Sequence, residues 1–341
     1  MSAGEGAGLA EESAQVPSAA INAVTSAEIA AAGARIAPYI HRTPVVRSVT
    51  LSRRLGTNVY LKLEILQKTG AFKARGAFSK LTALPPGSRV VAASGGNHGQ
   101  AVAYAAGILG MPARIVMPRT TAANYLNATR DYGAELLLTE NIGAAFALGE
   151  EAASGGWVRV HPFDDRDVIA GQGTVGLEIL EDLPQVTDVI CSIGGGGLAA
   201  GLGTVIKAAK PSARVWGAET AGADCMSRAL AAGRVVTMDK ITSIAKTLGP
   251  PSVCPITLAA AQKLLEKVEV VTDVEAVRAL YFLLERCKVL TEPAASCTLA
   301  AAEHLKDNFG PDDHLVLVLC GGNLSMADLH SYSAIVPVGQ H

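Results

Sequence analysis

Residues 188–201 read Asp188-Val189-Ile190-Cys191-Ser192-Ile193-Gly194-Gly195-Gly196-Gly197-Leu198-Ala199-Ala200-Gly201. A nearly continuous apolar run empties into four glycines and then into a helical pattern that ends near Lys207. Such a strand is buried on both faces, the condition of a parallel strand sandwiched between helices. The same figure recurs outward from this stretch. In the first half, the runs 89–93, 113–117, 134–139 and 157–162 are each followed by a helix-period segment; in the second half, 214–218 and 314–320 repeat the theme. This alternation predicts an α/β protein with two parallel-sheet domains, covered by helices on both faces. The polar loop Phe163-Asp164-Asp165 follows a proline and marks a crossover between the domains. We expect a large domain from 21–75 and 164–341, a small domain from 76–163, and a disordered tail over 1–20, where Ala, Gly, Ser and Glu dominate. Ligands of such folds bind beyond the carboxyl ends of the strands, where the glycine turns lie.

Composition narrows the function classes. The chain has 341 residues, 49% of them hydrophobic, enough for a sizeable core. No window approaches about 18 uninterrupted apolar residues, so no membrane span is expected. A formal net charge of -2 leaves no electrostatic footprint for nucleic acid or anionic lipid. Six cysteines, at 191, 225, 254, 287, 297 and 320, contain no C-x-x-C pair. That spacing argues against structural zinc and a disulfide framework, and for reduced thiols in a cytoplasmic enzyme. The first twenty residues carry three glutamates and no basic region, unlike a secretory signal.

Three glycine turns and one lysine carry chemistry. Ser94-Gly95-Gly96-Asn97-His98 follows the run 89–93 and opens a helix, so its backbone N–H groups suit a carboxylate or phosphate. A merely capped helix, with Ser94 or Asn97 as the cap, reads equally well. Gly194, Gly195, Gly196 and Gly197 remove every Cβ, letting the main chain close on an anion; a turn without ligand needs one or two glycines. With Glu219 about twenty residues on, the same turn could instead hold a dinucleotide, although Ala199 or Ala200 stands where the third glycine belongs. Cys320-Gly321-Gly322-Asn323 places a thiol at a strand end. Lys73, beside Phe72 and small residues and with Arg75 nearby, is a candidate for Schiff-base chemistry, or else an ordinary solvated lysine. Together these groups ask for a ligand with a carbonyl for Lys73, a phosphate for the glycines and a ring nitrogen near Cys320. Pyridoxal 5′-phosphate has all three.

The stretches KTGAFKARGAF (68–78), SGGNHGQAVAYAAG (94–107), GGGGLAAG (194–201) and CGGN (320–323) resemble the fold-type II pyridoxal-phosphate enzymes, and within them the serine/threonine dehydratase, or ammonia-lyase, family. AETAGAD (218–224) and KITSIAKTLG (240–249) look most like its serine dehydratase branch. The resemblance covers about residues 25–330. It implies a cofactor in the cleft between the two domains, with Lys73 bonded to its aldehyde, Phe72 packed against it, and Asn97 on its ring hydroxyl. Gly194–Gly197 would hold the phosphate, Cys320 would face the ring nitrogen, and Ser94, Gly95, Gly96, Asn97 and His98 would bind the substrate carboxylate. The implied reaction is β-elimination from a β-hydroxy amino acid, L-threonine or L-serine, giving a 2-oxo acid and ammonia. A bulkier substrate such as 3-hydroxyaspartate or phenylserine, a β-replacement synthase and a racemase stand as alternatives. A homodimer is also implied.

Two departures bear on this resemblance. The racemase branch carries a second serine where this chain has Gly95, which implies weak racemisation and a wider pocket beside the substrate. Glu219 and Ala223 resemble the family's cation site, but Cys225 replaces a further carboxylate. That favours a monovalent ion such as potassium over magnesium.

Overall fold

The computed structural model describes residues 24–337, so the expected tail over 1–20 lies outside the described residues. Among the described residues ten strands form two sheets: β1 Val45–Arg47, β2 Asn58–Lys62, β3 Val90–Ala93, β4 Ala113–Pro118, β5 Glu135–Thr139, β6 Val158–Arg159, β7 Asp188–Ser192, β8 Arg214–Thr220, β9 Lys267–Val271 and β10 His314–Val318. The larger sheet runs β1-β2-β10-β7-β8-β9 and the smaller β5-β4-β3-β6. Every pairing is parallel except β1 with β2, an antiparallel edge that the apolar-run pattern does not reveal.

The central strands are apolar on both sides because both sides are covered. In β7 and β10, Ile190, Leu315 and Leu317 face one helical layer, which includes Ala294 and Leu299; Val189, Cys191, Val316 and Val318 face the other, with Val175, Leu198 and Leu202. Period-two alternation within a strand thus feeds two cores. The small sheet repeats the scheme: Val90, Ala92, Ile115 and Met117 pack toward Val102 and Ala106, while Val91, Ala93 and Val116 pack toward Ala145. The run 157–162 contributes only two residues of strand. Beyond Arg159 it leaves the sheet and carries Pro162 and Phe163 toward the glycine turn, and Asp165 then caps the helix Arg166–Asp182 through the N–H groups of Asp167 and Val168.

The helix Lys73–Leu81 has a buried cluster of charges on one side. Arg75 is fully buried, and its guanidinium forks onto Glu64 (2.7 and 2.8 Å) and Glu178 (2.7 and 2.8 Å), with Thr174 at 3.1 Å. Lys62, equally buried, donates to Glu178 and to the Thr43 carbonyl. Two cations thus meet two carboxylates with nearly all donors and acceptors used, the only arrangement in which buried charge is tolerable. This network ties β2, the 3-10 turn Glu64–Leu66 and the helix Arg166–Asp182 to the lysine-bearing helix. Arg75→Ala leaves two buried carboxylates facing Lys62 alone. It is expected to lower the unfolding free energy by about 3–5 kcal/mol, read as a fall in the urea midpoint.

Candidate active site

Lys73 opens its helix just after a turn in which Thr69 takes φ 61, a conformation that β-branched residues rarely adopt. Contacts from the far end of the chain hold that turn. The Phe72 N–H donates to the Cys320 carbonyl (3.0 Å), the Gly322 N–H to the Gly70 carbonyl (2.9 Å), and Asn323 Nδ2 to the Thr69 carbonyl (2.7 Å). The lysine turn and the Cys-Gly-Gly-Asn turn are therefore one unit, sewn together by main-chain bonds.

Around this unit lies a cavity of about 320 Å³. Every residue that the sequence assigns to cofactor or substrate lines it: Phe72, Lys73, Ser94, Gly95, Gly96, Asn97, His98, Gly194, Gly195, Gly196, Gly197 and Cys320. Glu219 and Ala223 do not. Glu219 is fully buried in β8, and its two oxygens accept from the N–H groups of Met226 and Ser227 (both 2.9 Å) and from the Ser227 hydroxyl (2.7 Å), at the start of the helix Cys225–Ala232. Burial pushes its carboxyl up to about 7. The Ala223 N–H bonds the Thr220 carbonyl. Among the described residues, no cluster of three His, Cys, Asp or Glu is placed to hold a metal ion.

The four-glycine turn is bare for a steric reason. A Cβ on Gly195 would fall 2.0 to 2.3 Å from the ring of Phe163, and Gly196 takes φ +88. The helix Gly197–Ala209 begins here with no side-chain cap, so the first-turn N–H groups and the positive dipole end face the cavity. The helix Asn97–Leu109 begins in the same way, with Gly96 as an uncapped start. Ser94 is no helix cap; its Oγ accepts from the Gly96 N–H at 3.3 Å. Two uncapped helix starts thus open on one cavity.

Burial drives the side chains of the site toward neutrality. The Lys73 amine donates to the Pro162 carbonyl (2.9 Å), and desolvation lowers it to about 8. Arg75 has no part in this, because its guanidinium lies in the Glu64–Glu178 network; the expectation of a guanidinium beside the amine is thereby corrected. His98 Nε2 donates to the Val160 carbonyl (2.8 Å), leaving Nδ1 buried and unpartnered, and desolvation followed by the charge of Lys73 pushes the ring down to about 3. Cys320 receives the Ser192 hydroxyl at 3.2 Å, and burial pushes its thiol up to about 12. It lines the cavity as a neutral S–H that donates to the Ala294 carbonyl at 3.7 Å.

Sequence reasoning misses a second layer. Glu292 Oε1 accepts from Asn97 Nδ2 and from the Thr247 hydroxyl, both at 2.9 Å. Among the described residues its Oε2 is buried without a hydrogen-bond partner, and desolvation pushes the carboxyl up to about 7. Asn97 Oδ1 in turn accepts from Asn323 Nδ2 (2.8 Å), and the Tyr125 hydroxyl donates to the Asn323 carbonyl (3.0 Å). An acid directly before Pro293 at a helix start is the one signal that could have marked Glu292. Tyr125 sits at helical spacing among polar residues and carries no such mark. Gly95 also departs from expectation. The position of its missing Cβ lies 2.7 Å from Thr121 Oγ1 and 3.3 Å from Pro118, so the absent side chain opens no extra room.

These residues fit pyridoxal 5′-phosphate: a side-chain-free anion cradle, an amine lowered by burial to about 8, and an uncharged thiol share one cavity. In the ligand-free protein, Lys73 should react with an amine-directed acylating reagent along a titration centred near pH 8, with the reactive neutral form gained as pH rises. Surface lysines should follow curves centred near about 10.4. Peptide mass spectrometry over a pH series spanning both midpoints reads the two curves.

The model of the pyridoxal-phosphate-dependent enzyme family matches residues 36–321. The L-threonine ammonia-lyase of Geobacter sulfurreducens is 39% identical over 312 residues, covering 89% of this chain and 76% of that protein. Among solved structures, maize serine racemase superposes with a TM-score of 0.86 at 34% identity, covering 92% of this chain and 97% of that one. The T.th. threonine deaminase superposes with a TM-score of 0.80 at 38% identity, covering 89% of this chain and 99% of that one. With its two parallel-sheet domains and these matches, this chain belongs to the pyridoxal-phosphate-dependent enzymes of fold-type II, within the serine/threonine dehydratase family.

Proposed function

We propose that this protein is a pyridoxal-phosphate-dependent ammonia-lyase that eliminates the β-hydroxyl of L-threonine or L-serine, yielding a 2-oxo acid and ammonia. The observation that carries this reading is the meeting of the desolvated Lys73 amine, the four-glycine cradle and the neutral Cys320 thiol in one cavity. When bound, the cofactor supplies an electron sink conjugated to the substrate α-carbon.

The chain's own groups then have definite tasks. Lys73, with its amine near 8, is suited to take and return a proton at the substrate Cα, since a base works best near the ambient pH. Gly194–Gly197 hold the phosphate with backbone N–H groups and the dipole of the helix they open. The uncapped start of the helix Asn97–Leu109 binds the substrate carboxylate, fixing the Cα–H bond relative to the amine. Asn97 keeps one amide hydrogen for the cofactor's ring hydroxyl after donating the other to Glu292. Cys320, an S–H with a pKa near 12, leaves the ring nitrogen without a countercharge. That suits elimination, which needs a weaker sink than transamination.

Finer features belong to the same proposal. The large domain comprises 21–75 and 164–341 and the small domain 76–163, supported by the membership of the two sheets. Six free cysteines support a cytoplasmic location, and among the described residues no helix is long and apolar enough to cross a membrane. We expect no nucleic-acid partner, and a homodimer as the working form. Weak racemisation belongs to the same proposal, supported by the lack of a side-chain proton donor on Gly95. A monovalent cation beside Glu219 and the Ala223 carbonyl is supported by a buried carboxylate met only by uncharged donors. Replacing potassium by tetramethylammonium should lower turnover several-fold, and unchanged rates in a potassium-free assay would remove the cation from the scheme.

The purified protein should be yellow, and borohydride should fix the cofactor on the peptide containing Lys73. Lys73→Ala should lower 2-oxo acid release from L-threonine and L-serine at least ~10³-fold. Release from 3-hydroxyaspartate or phenylserine in preference to both would move the proposal to the bulkier substrate.

A further inference from the structure

We infer that the Thr121 hydroxyl is a substrate-binding group that donates a hydrogen bond to the α-carboxylate of the amino acid, from the place that residue 95 leaves without a side chain. The inference rests on the amino-acid lyase reading above and names a residue of its carboxylate site.

Thr121 lies in the turn after β4, anchored by its N–H to the Pro118 carbonyl at 3.0 Å. Its Oγ1 is 2.7 Å from the position a Cβ of Gly95 would occupy, closer than real Cβ atoms approach an oxygen. A side chain on residue 95 and this hydroxyl therefore compete for one place, and here the hydroxyl has it. Both residues line the cavity beside the helix that opens at Asn97. Among the described residues no hydrogen bond engages Thr121 Oγ1, and Thr121 is a half-buried residue of the cavity wall. The first-turn N–H groups of that helix have no side-chain cap. An amino-acid carboxylate laid across this helix start meets backbone donors from the helix and a neutral hydroxyl from the neighbouring turn. A threonine adds a donor there without a second fixed cation near Lys73, whose amine must stay neutral to act.

The test uses the holoenzyme and L-alanine, which carries the α-carboxylate but no β-hydroxyl. Thr121→Val keeps the side-chain shape and removes the donor. It should weaken L-alanine binding, followed by the change in cofactor absorbance, roughly 10- to 100-fold. KM for L-serine should rise by a similar factor, more than kcat falls. Thr121→Ser should stay near wild type. Moving the hydroxyl back to residue 95, in G95S/T121A, should recover at least about tenfold of the affinity that T121A loses, which guards against a merely misfolded turn. Wild-type L-alanine affinity in T121V would overturn the inference, as would a loss confined to ligands bearing a β-hydroxyl. Wild-type protein that releases no 2-oxo acid from any β-hydroxy amino acid counts instead against the lyase reading.

Discussion

Everything in the site depends on the joint between the turns 69–72 and 320–323. These segments lie about 250 residues apart, yet three hydrogen bonds to main-chain carbonyls hold them in register, and Thr69 accepts a left-handed conformation to make the fit. Strain of this kind, of order 1–3 kcal/mol, persists only where surrounding contacts over-determine it. The joint sets where Lys73 enters its helix and where the Cys320 thiol lies. It also presents Asn323 to Asn97 and Tyr125, both on the small-sheet side of the cleft. The cleft is thus bridged at its floor by amides and hydroxyls, with no ion pair across it in this network.

The placement of charge follows from the same geometry. Lys73 and Arg75 are two residues apart on a helix, so their side chains leave in nearly opposite directions. Arg75 reaches a buried cluster in which cations and carboxylates balance, while Lys73 reaches a cavity in which nothing balances it. Without a balancing ion pair, desolvation is the largest influence. It lowers the lysine and His98 and raises Glu292 and Cys320, each toward its uncharged form. A phosphate entering such a site meets oriented N–H dipoles rather than a competing side-chain anion. The buried carboxyl of Glu292 and the amine of Lys73 both sit near neutral pH, where a proton can be held or released with little cost.

Close backbone approach is the second recurring device. Phe163, delivered by the chain as it leaves β6, fills the space under the four-glycine turn, and Thr121 fills the space beside Gly95. In both places a glycine marks where another element's side chain arrives, and that element lies on a different part of the chain. A glycine by itself shows only that something comes near. The identity of what comes near is a property of the fold.

The central strands were legible in the sequence because a strand covered on both faces must be apolar at nearly every position, and the glycine turns beyond them were legible because close neighbours, and at Gly196 a positive φ, exclude a Cβ there. Strands β1, β2 and β9 were not. They lie toward the sheet margins, are partly exposed, and carry charges such as Lys62, whose burial makes sense only once Glu178 is beside it. Lys73, the two glycine turns that open on the cavity and Cys320 could be named from residue type and position along the chain. The pKa of that lysine, the partner of Arg75, the Glu292–Asn97–Asn323–Tyr125 network and the occupant of the space beside Gly95 were decided by tertiary structure alone. Each depends on which groups meet after burial, and desolvation and close contact are set by neighbours in space that local sequence does not encode.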